Sequence, residues 1–150
     1  MASRISRELV VRVPVERFYD LVVDYESYPG FVPSVRGCKV VHVAKGYRDV
    51  EYRVDLGVKT IQYVLRHVET RPDKVTWSLV KGDMMKVSNG AWELMPHAGH
   101  TLARYTVEVQ VTKPPLIPQG IVDRVSDELT KVQLPRTLEA FRARAEQGLP

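Results

Sequence analysis

The sequence predicts an α+β domain in which a curved, seven-stranded antiparallel sheet wraps around a long C-terminal helix, with two short helices after the first strand. Three observations predict it. Apolar residues alternate at the N-terminus and then switch to helical spacing; six strand-like segments follow one another between residues 38 and 111 with turn residues at hairpin spacing; and the last thirty residues carry a helical apolar stripe. A meander of consecutive strands indicates antiparallel pairing, not strand and helix in alternation. At 150 residues and 44% hydrophobic content the chain fits one domain over 1–150 with a real core.

Within residues 3 to 13, Ile5, Leu9, Val11 and Val13 share one parity while Ser6, Glu8 and Arg12 take the other, the pattern of a half-buried strand. Pro14 breaks the ladder and suits a first helical turn. Val15, Phe18, Leu21 and Val22 then recur at three- and four-residue spacing, predicting a short helix that ends near Tyr25. The stretch Asp24–Pro33 is too aromatic for an ordinary loop and too rich in proline for a long helix. Tyr25, Tyr28 and Phe31 bring apolar faces that need burial or a ligand, so one or two further helical turns serving as a lid are expected here.

The six strands are expected at 38–45, 47–56, 58–69, 74–80, 86–95 and 101–111. The turns between them fall at Lys45-Gly46, Leu56-Gly57, Arg71-Pro72-Asp73, Lys81-Gly82-Asp83 and His97-Ala98-Gly99-His100. Val50, Tyr52, Val54 and Leu56 share a face, as do Val75, Trp77 and Leu79, and Tyr105, Val107, Val109 and Val111. Pro114, Pro115 and Pro118 punctuate a linker. Beyond it Ile121, Val122, Val125, Leu129, Val132, Leu138 and Phe141 mark the helix stripe, Pro135 predicts a bend or restart, and Gly148 and Pro150 mark the end.

Such a sheet does not fill its own concave face, and a cavity between sheet and helix is expected. Its expected lining and lid residues are Tyr28, Phe31, Tyr52, Tyr63, Trp77, Trp92 and Tyr105, with Val125 and Leu129 from the helix. Met84, Met85 and Met95 read as core filler.

Several functions lose ground on composition. No stretch of about 18 apolar residues occurs, and the N-terminus lacks a secretory core, so a cytoplasmic protein is expected, with peripheral contact to a membrane left open. The single cysteine, Cys38, makes neither a disulfide nor a zinc knuckle and reads as an apolar filler. The net charge of +4 is spread among 18 acidic residues with no basic run, so DNA is not an expected partner. His97 and His100 sit in hairpin chemistry without a third ligand, and neither metal nor cofactor is expected.

Tyr28-Pro-Gly-Phe31-Val-Pro33, Leu79-Val-Lys-Gly82-Asp-Met and Gly90-Ala-Trp92-Glu-Leu94 together resemble the polyketide cyclase/dehydrase and lipid transport superfamily. The resemblance runs over roughly residues 3 to 145 and is strongest to the coenzyme Q-binding START-domain proteins and bacterial ribosome-association toxins. It implies a START-like, helix-grip fold and a hydrophobic ligand such as a lipid, quinone or polyketide. Two alternatives remain open: a ribosome-associated regulator that binds the large subunit, and a cyclase or aromatase-type enzyme.

A ribosome contact would draw on Arg4, Arg7, Arg12, Arg136, Arg142 and Arg144, blunted by Glu139 and Glu146. A cyclase would draw on Asp55, His67, Arg104 or Tyr105 for acid–base work. Asp55 and Arg104, however, fall on the outward parity, and no nucleophile elbow, phosphate loop or triad occurs, so no catalytic residue is assigned. His67 alternates with Leu65 and is expected to face solvent or to be hydrogen-bonded.

Overall fold

The computed structural model describes residues 3–149. The elements run in the order β1 (Ser3–Val11), α1 (Val15–Val22), a 3-10 helix (Tyr25–Gly30), β2 (Val35–Ala44), β3 (Tyr47–Asp55), β4 (Thr60–Thr70), β5 (Lys74–Gly82), β6 (Met85–His97), β7 (His100–Val111), α2 (Gln119–Asp127), a π-helical segment (Glu128–Gln133) and α3 (Leu134–Ala145). The seven strands form one curved antiparallel sheet in the order β1-β7-β6-β5-β4-β3-β2, and the C-terminal helical run packs in its concavity. The meander therefore pairs each strand with the next in sequence, and β1 closes the far edge against β7. No helix among the described residues is long and apolar enough to cross a membrane.

Local chemistry explains where the elements stop. Pro14 caps α1, which buries Val15, Phe18, Tyr19 and Val22. Past the end of β1, the fully buried Thr101 hydroxyl donates to the Val13 carbonyl at 2.8 Å, so the chain stays tied to β7 as it leaves the sheet. Ala98 and Gly99 both take positive φ, 52° and 82°, which gives the β6–β7 hairpin a turn whose twist matches its strands.

Two of the differences from the expected strand boundaries have a local cause. β2 begins at Val35, not Cys38, because a register shift between Val35 and Gly37 absorbs Arg36 as a bulge; a second shift between Val40 and His42 leaves Val41, His42 and Val43 exposed on the edge. Gly82 is the last residue of β5 and not part of the turn, which tightens to Asp83-Met84. A Cβ at Gly82 would stand 2.5 Å from the Tyr63 Cβ, so glycine is needed there for close approach of strands.

The expected bend at Pro135 appears one turn earlier, as the π-helical segment. Pro135 has no N–H to offer the carbonyl four residues back, at Lys131, and its ring crowds that carbonyl; a wider turn at that point relieves both. α3 then restarts with proline in its first turn and ends at Ala145. Gly148 takes φ 87° beyond the helix end, and Pro150 lies outside the described residues.

Candidate ligand-binding site

The alternation of β3, β4, β5, β6 and β7 sends their large aromatic side chains to the same concave face. Tyr52 and Tyr63, paired across β3 and β4, stack with ring centroids 5.4 Å apart. Trp77 stands 5.5 Å from Tyr105, which stands 4.7 Å from Trp92. The rings form a continuous aromatic floor.

Gly90 makes the position of Trp77 possible. It pairs with Trp77 across β5 and β6, and a Cβ there would meet the Thr106 carbonyl oxygen at 2.3 Å and the indole ring at 2.6 Å. The indole lies where a side chain would otherwise be.

Above this floor, the helical run and the 3-10 segment close a cavity of about 120 Å³. Leu129, Gln133, Leu134, Thr137 and Phe141 line it from the helices, and Tyr28 and Val32 from the lid side. The π-helical segment supplies two of these residues, Leu129 and Gln133, both buried. Phe141 is the clasp: its ring lies 5.1 Å from Tyr28, 5.1 Å from Phe31 and 5.4 Å from Trp92, joining helix, lid and sheet.

Of the expected lining residues, Tyr28, Tyr52, Tyr63, Trp77, Trp92, Tyr105 and Leu129 face the cavity. Phe31 and Val125 do not. Phe31 is half-buried against Phe141 with the Arg144 guanidinium over its ring, and Val125 is fully buried in the core. Among the methionines, Met85 lines the cavity and Met84 is core, whereas Met95 is 58% exposed and is no core filler. Asp55 and Arg104 lie outside the cavity: Asp55 pairs with Arg36 at 3.3 Å, and Arg104 approaches Glu8 at 3.8 Å.

His67 is the residue whose role the sequence left most open. It is buried, lines the cavity, and shares a 2.7 Å hydrogen bond between its Nε2 and the Tyr52 hydroxyl. Its Nδ1 has no partner among the described residues. Burial in this aromatic setting, reinforced by the nearby Arg48 and opposed by Asp49, lowers its pKa to about 3, so the ring is neutral at physiological pH.

Burial also pushes the phenols of Tyr28, Tyr52, Tyr63 and Tyr105 upward, and it pushes the Cys38 thiol up to about 12. The Tyr28 hydroxyl donates to the Val22 carbonyl. Ser34, Ser88, Gln133 and Thr137 add polar atoms to the wall that no sequence period marked out.

The 3-10 segment is anchored at one end. Tyr25, 1% exposed, donates to Glu69 at 2.7 Å; Glu69 pairs with Arg48 at 2.7 Å; and the Arg48 guanidinium covers the Tyr25 ring at 4.7 Å while donating to the Val23 carbonyl. The Tyr25 ring in turn lies 4.5 Å from His67. Tyr25, expected as part of a lid, is a fixed post behind the histidine.

Comparison with known proteins agrees with this architecture. The model of the family described as polyketide cyclase / dehydrase and lipid transport matches residues 11–137. The ribosome association toxin RatA of Escherichia coli K12 is 28% identical over 93 residues, 62% of this chain and 58% of the toxin, so the chain spans less than two thirds of that relative's length. Among solved structures, the ZhuI aromatase/cyclase from Streptomyces sp. R1128 superposes with a TM-score of 0.86 at 14% identity, covering 100% of this chain and 97% of that one. A START superfamily protein from Mycobacterium smegmatis gives 0.76 at 20% identity, covering 96% and 97%. At such identities the two structural likenesses speak for the fold alone.

Proposed function

The chain belongs to the polyketide cyclase/dehydrase and lipid transport family, and from that premise we propose that it is a binding or carrier protein for a hydrophobic small molecule held between sheet and C-terminal helix. The observation that carries this reading is the cavity itself: aromatic and aliphatic on nearly every side, with a few polar atoms, as ligand pockets generally are. Apolar burial supplies affinity, and the hydroxyls and imidazole supply orientation.

A carrier is favoured over a cyclase by the proton inventory. General acid–base catalysis works best with a group whose pKa lies near the operating pH. In this cavity the imidazole is held at about 3 and the phenols are raised, so no lining group is poised to exchange protons near neutrality.

The test is mass spectrometry of an organic extract of the purified protein, beside an extract of an unrelated protein from the same host. Specific enrichment of an apolar compound in stoichiometric amount is the expected result. An extract indistinguishable from the control removes the carrier reading.

One observation favours a second reading: the likeness to RatA, whose name records ribosome association. Arg4, Arg7 and Arg136 are exposed, whereas Arg12 and Arg142 pair with Glu146 and Glu139. If this reading holds, the protein co-sediments with ribosomes at about 50 mM salt and is released by about 200 mM, because contacts to RNA phosphates are salt-sensitive. Absence of salt-sensitive co-sedimentation eliminates it.

A further inference from the structure

The carrier reading leaves the chemistry of the ligand open, and two features of the cavity narrow it. The first is charge. No Lys, Arg, Asp or Glu is among the residues lining the cavity. A carboxylate or phosphate drawn into it would lose its hydration and meet no cation, and an ammonium would meet no anion; burial of either is strongly disfavoured. The second is the unpartnered Nδ1 of His67. Buried polar atoms are almost always hydrogen-bonded, so a buried nitrogen with no protein partner, on an imidazole that lines the cavity, is an exception that calls for an explanation.

The Tyr52–His67 bond shows what that nitrogen lacks. If the Tyr52 hydroxyl donates to Nε2, the neutral ring carries its proton on Nδ1, which is then a donor without an acceptor. If Nε2 donates to the Tyr52 oxygen, Nδ1 is an acceptor without a donor. A hydroxyl satisfies either tautomer. The rings around the histidine, Tyr25 at 4.5 Å and Trp77 at 5.8 Å, make the surroundings of this polar atom flat and aromatic.

We propose that His67, held by Tyr52, is the specificity-determining residue of the cavity: it takes an uncharged oxygen of an aromatic ligand, while the uncharged wall rejects anionic ligands of the same skeleton. This rests on the carrier reading. It predicts an order of affinities that removal of the imidazole reverses, because a hydroxyl buried without its partner costs free energy.

The experiment uses three one-ring probes, since an apolar cavity of about 150 Å³ accommodates benzene and this one is of similar size. Benzene, phenol and benzoate are titrated at pH 7.5 into the full chain and into His67→Phe, with affinities read by NMR and the His67 ring nitrogens followed by their 15N shifts. In the parent protein phenol binds at least as tightly as benzene, benzoate binds at least tenfold more weakly than phenol, and phenol alone moves the His67 nitrogen shifts. In His67→Phe the order of the first two reverses, phenol becoming at least tenfold weaker than benzene.

The proposal is overturned if benzoate matches phenol, if phenol leaves the His67 nitrogens unmoved, or if the variant keeps the parental order. Failure of all three probes to bind the parent protein, freed of any co-purifying compound, overturns this inference, whereas the carrier reading stands or falls on the organic extract, so the two failures are distinguishable. Should His67→Phe not fold, His67→Leu serves in its place, and the parental comparison of phenol with benzoate needs no variant.

Discussion

Acidification from pH 6.5 to pH 4.5 is expected to lower the stability of this protein by about 2 kcal/mol through His67 alone, since a proton taken up only by the unfolded chain contributes up to about 1.4 kcal/mol per pH unit and the unfolded histidine is half protonated at the start. The folded-state pKa of His67 is depressed to about 3, against an ordinary 6.5. The histidine's contribution is therefore fully present above pH 6.5, falls as the pH drops below that value, and is exhausted near pH 3. Desolvation is the main cause, with Arg48 adding to it and Asp49 opposing it. Asp49, which Arg66 holds below the usual carboxylate range by hydrogen bonds at 2.8 and 3.1 Å, works in the same direction but in a lower window, as the pH falls past the ordinary carboxylate value. Urea midpoints measured at half-unit intervals separate the two. The parent loses stability steadily from pH 6.5 downward, whereas His67→Phe is flat to about pH 4.5. Equal slopes in both proteins would mean that the imidazole is charged in the folded state, and would undo the account of the cavity as an uncharged space.

How much of this was legible in the sequence depends on which physical rule governs each residue. Strand alternation is a strict period of two, so it puts Tyr52, Trp77 and Tyr105 on the apolar faces of their strands; Tyr63 and Trp92 are expected beside them only as strand aromatics, and the structure puts all five around the cavity. Turn chemistry is equally local, which is why Gly46, Gly57 and Gly99, each at positive φ, fell where turns were expected. Gly82 has the same letter and a different cause: it is required by the Tyr63 side chain across the strand pair, a tertiary contact that no local pattern reports.

The helix stripe was legible as a stripe but not in its depth. Val125 and Leu129 are one turn apart and were grouped together, yet Val125 is in α2 and fully buried in the core while Leu129 is in the π-helical segment and lines the cavity. The widened turn changes which way successive residues face, and it was hidden because the signal for it, Pro135, sits downstream of the distortion it provokes. His67 was ambiguous for a related reason. Parity placed it beside Leu65, but a polar ring on an apolar face has no rule of its own until its partner, Tyr52, is seen at 2.7 Å.

Replacement of Phe141 by alanine is the substitution expected to damage the architecture most. The ring is 2% exposed, and removal of a buried phenylalanine side chain costs about 3–5 kcal/mol, part of it lost transfer energy and part the void left behind. For a chain of this length that corresponds to a fall in melting temperature of about 10 °C. The position matters as much as the size. Phe141 meets Tyr28 and Phe31 edge-on at an interplanar angle of 87° in each case and packs on Trp92 in the sheet, so its loss separates helix, lid and floor at one stroke. The end of α3 remains tied to the start of the fold through Glu146, which accepts the Arg12 backbone N–H at 2.8 Å and approaches its guanidinium at 3.5 Å. The variant should therefore stay folded at moderate temperature with a larger, wetter cavity, rather than release the helix. Phe31→Ala provides the contrast. Phe31 is half-buried, lies outside the cavity and shares the Phe141 contact, so its truncation is expected to cost about 1–2 kcal/mol, and less again when Phe141 is already alanine. Calorimetric melting of the two single variants and the double variant measures both the loss and the coupling. A Phe141→Ala melting point within 2 °C of the parent, or fully additive losses, would show that the helix is held down by something other than this ring.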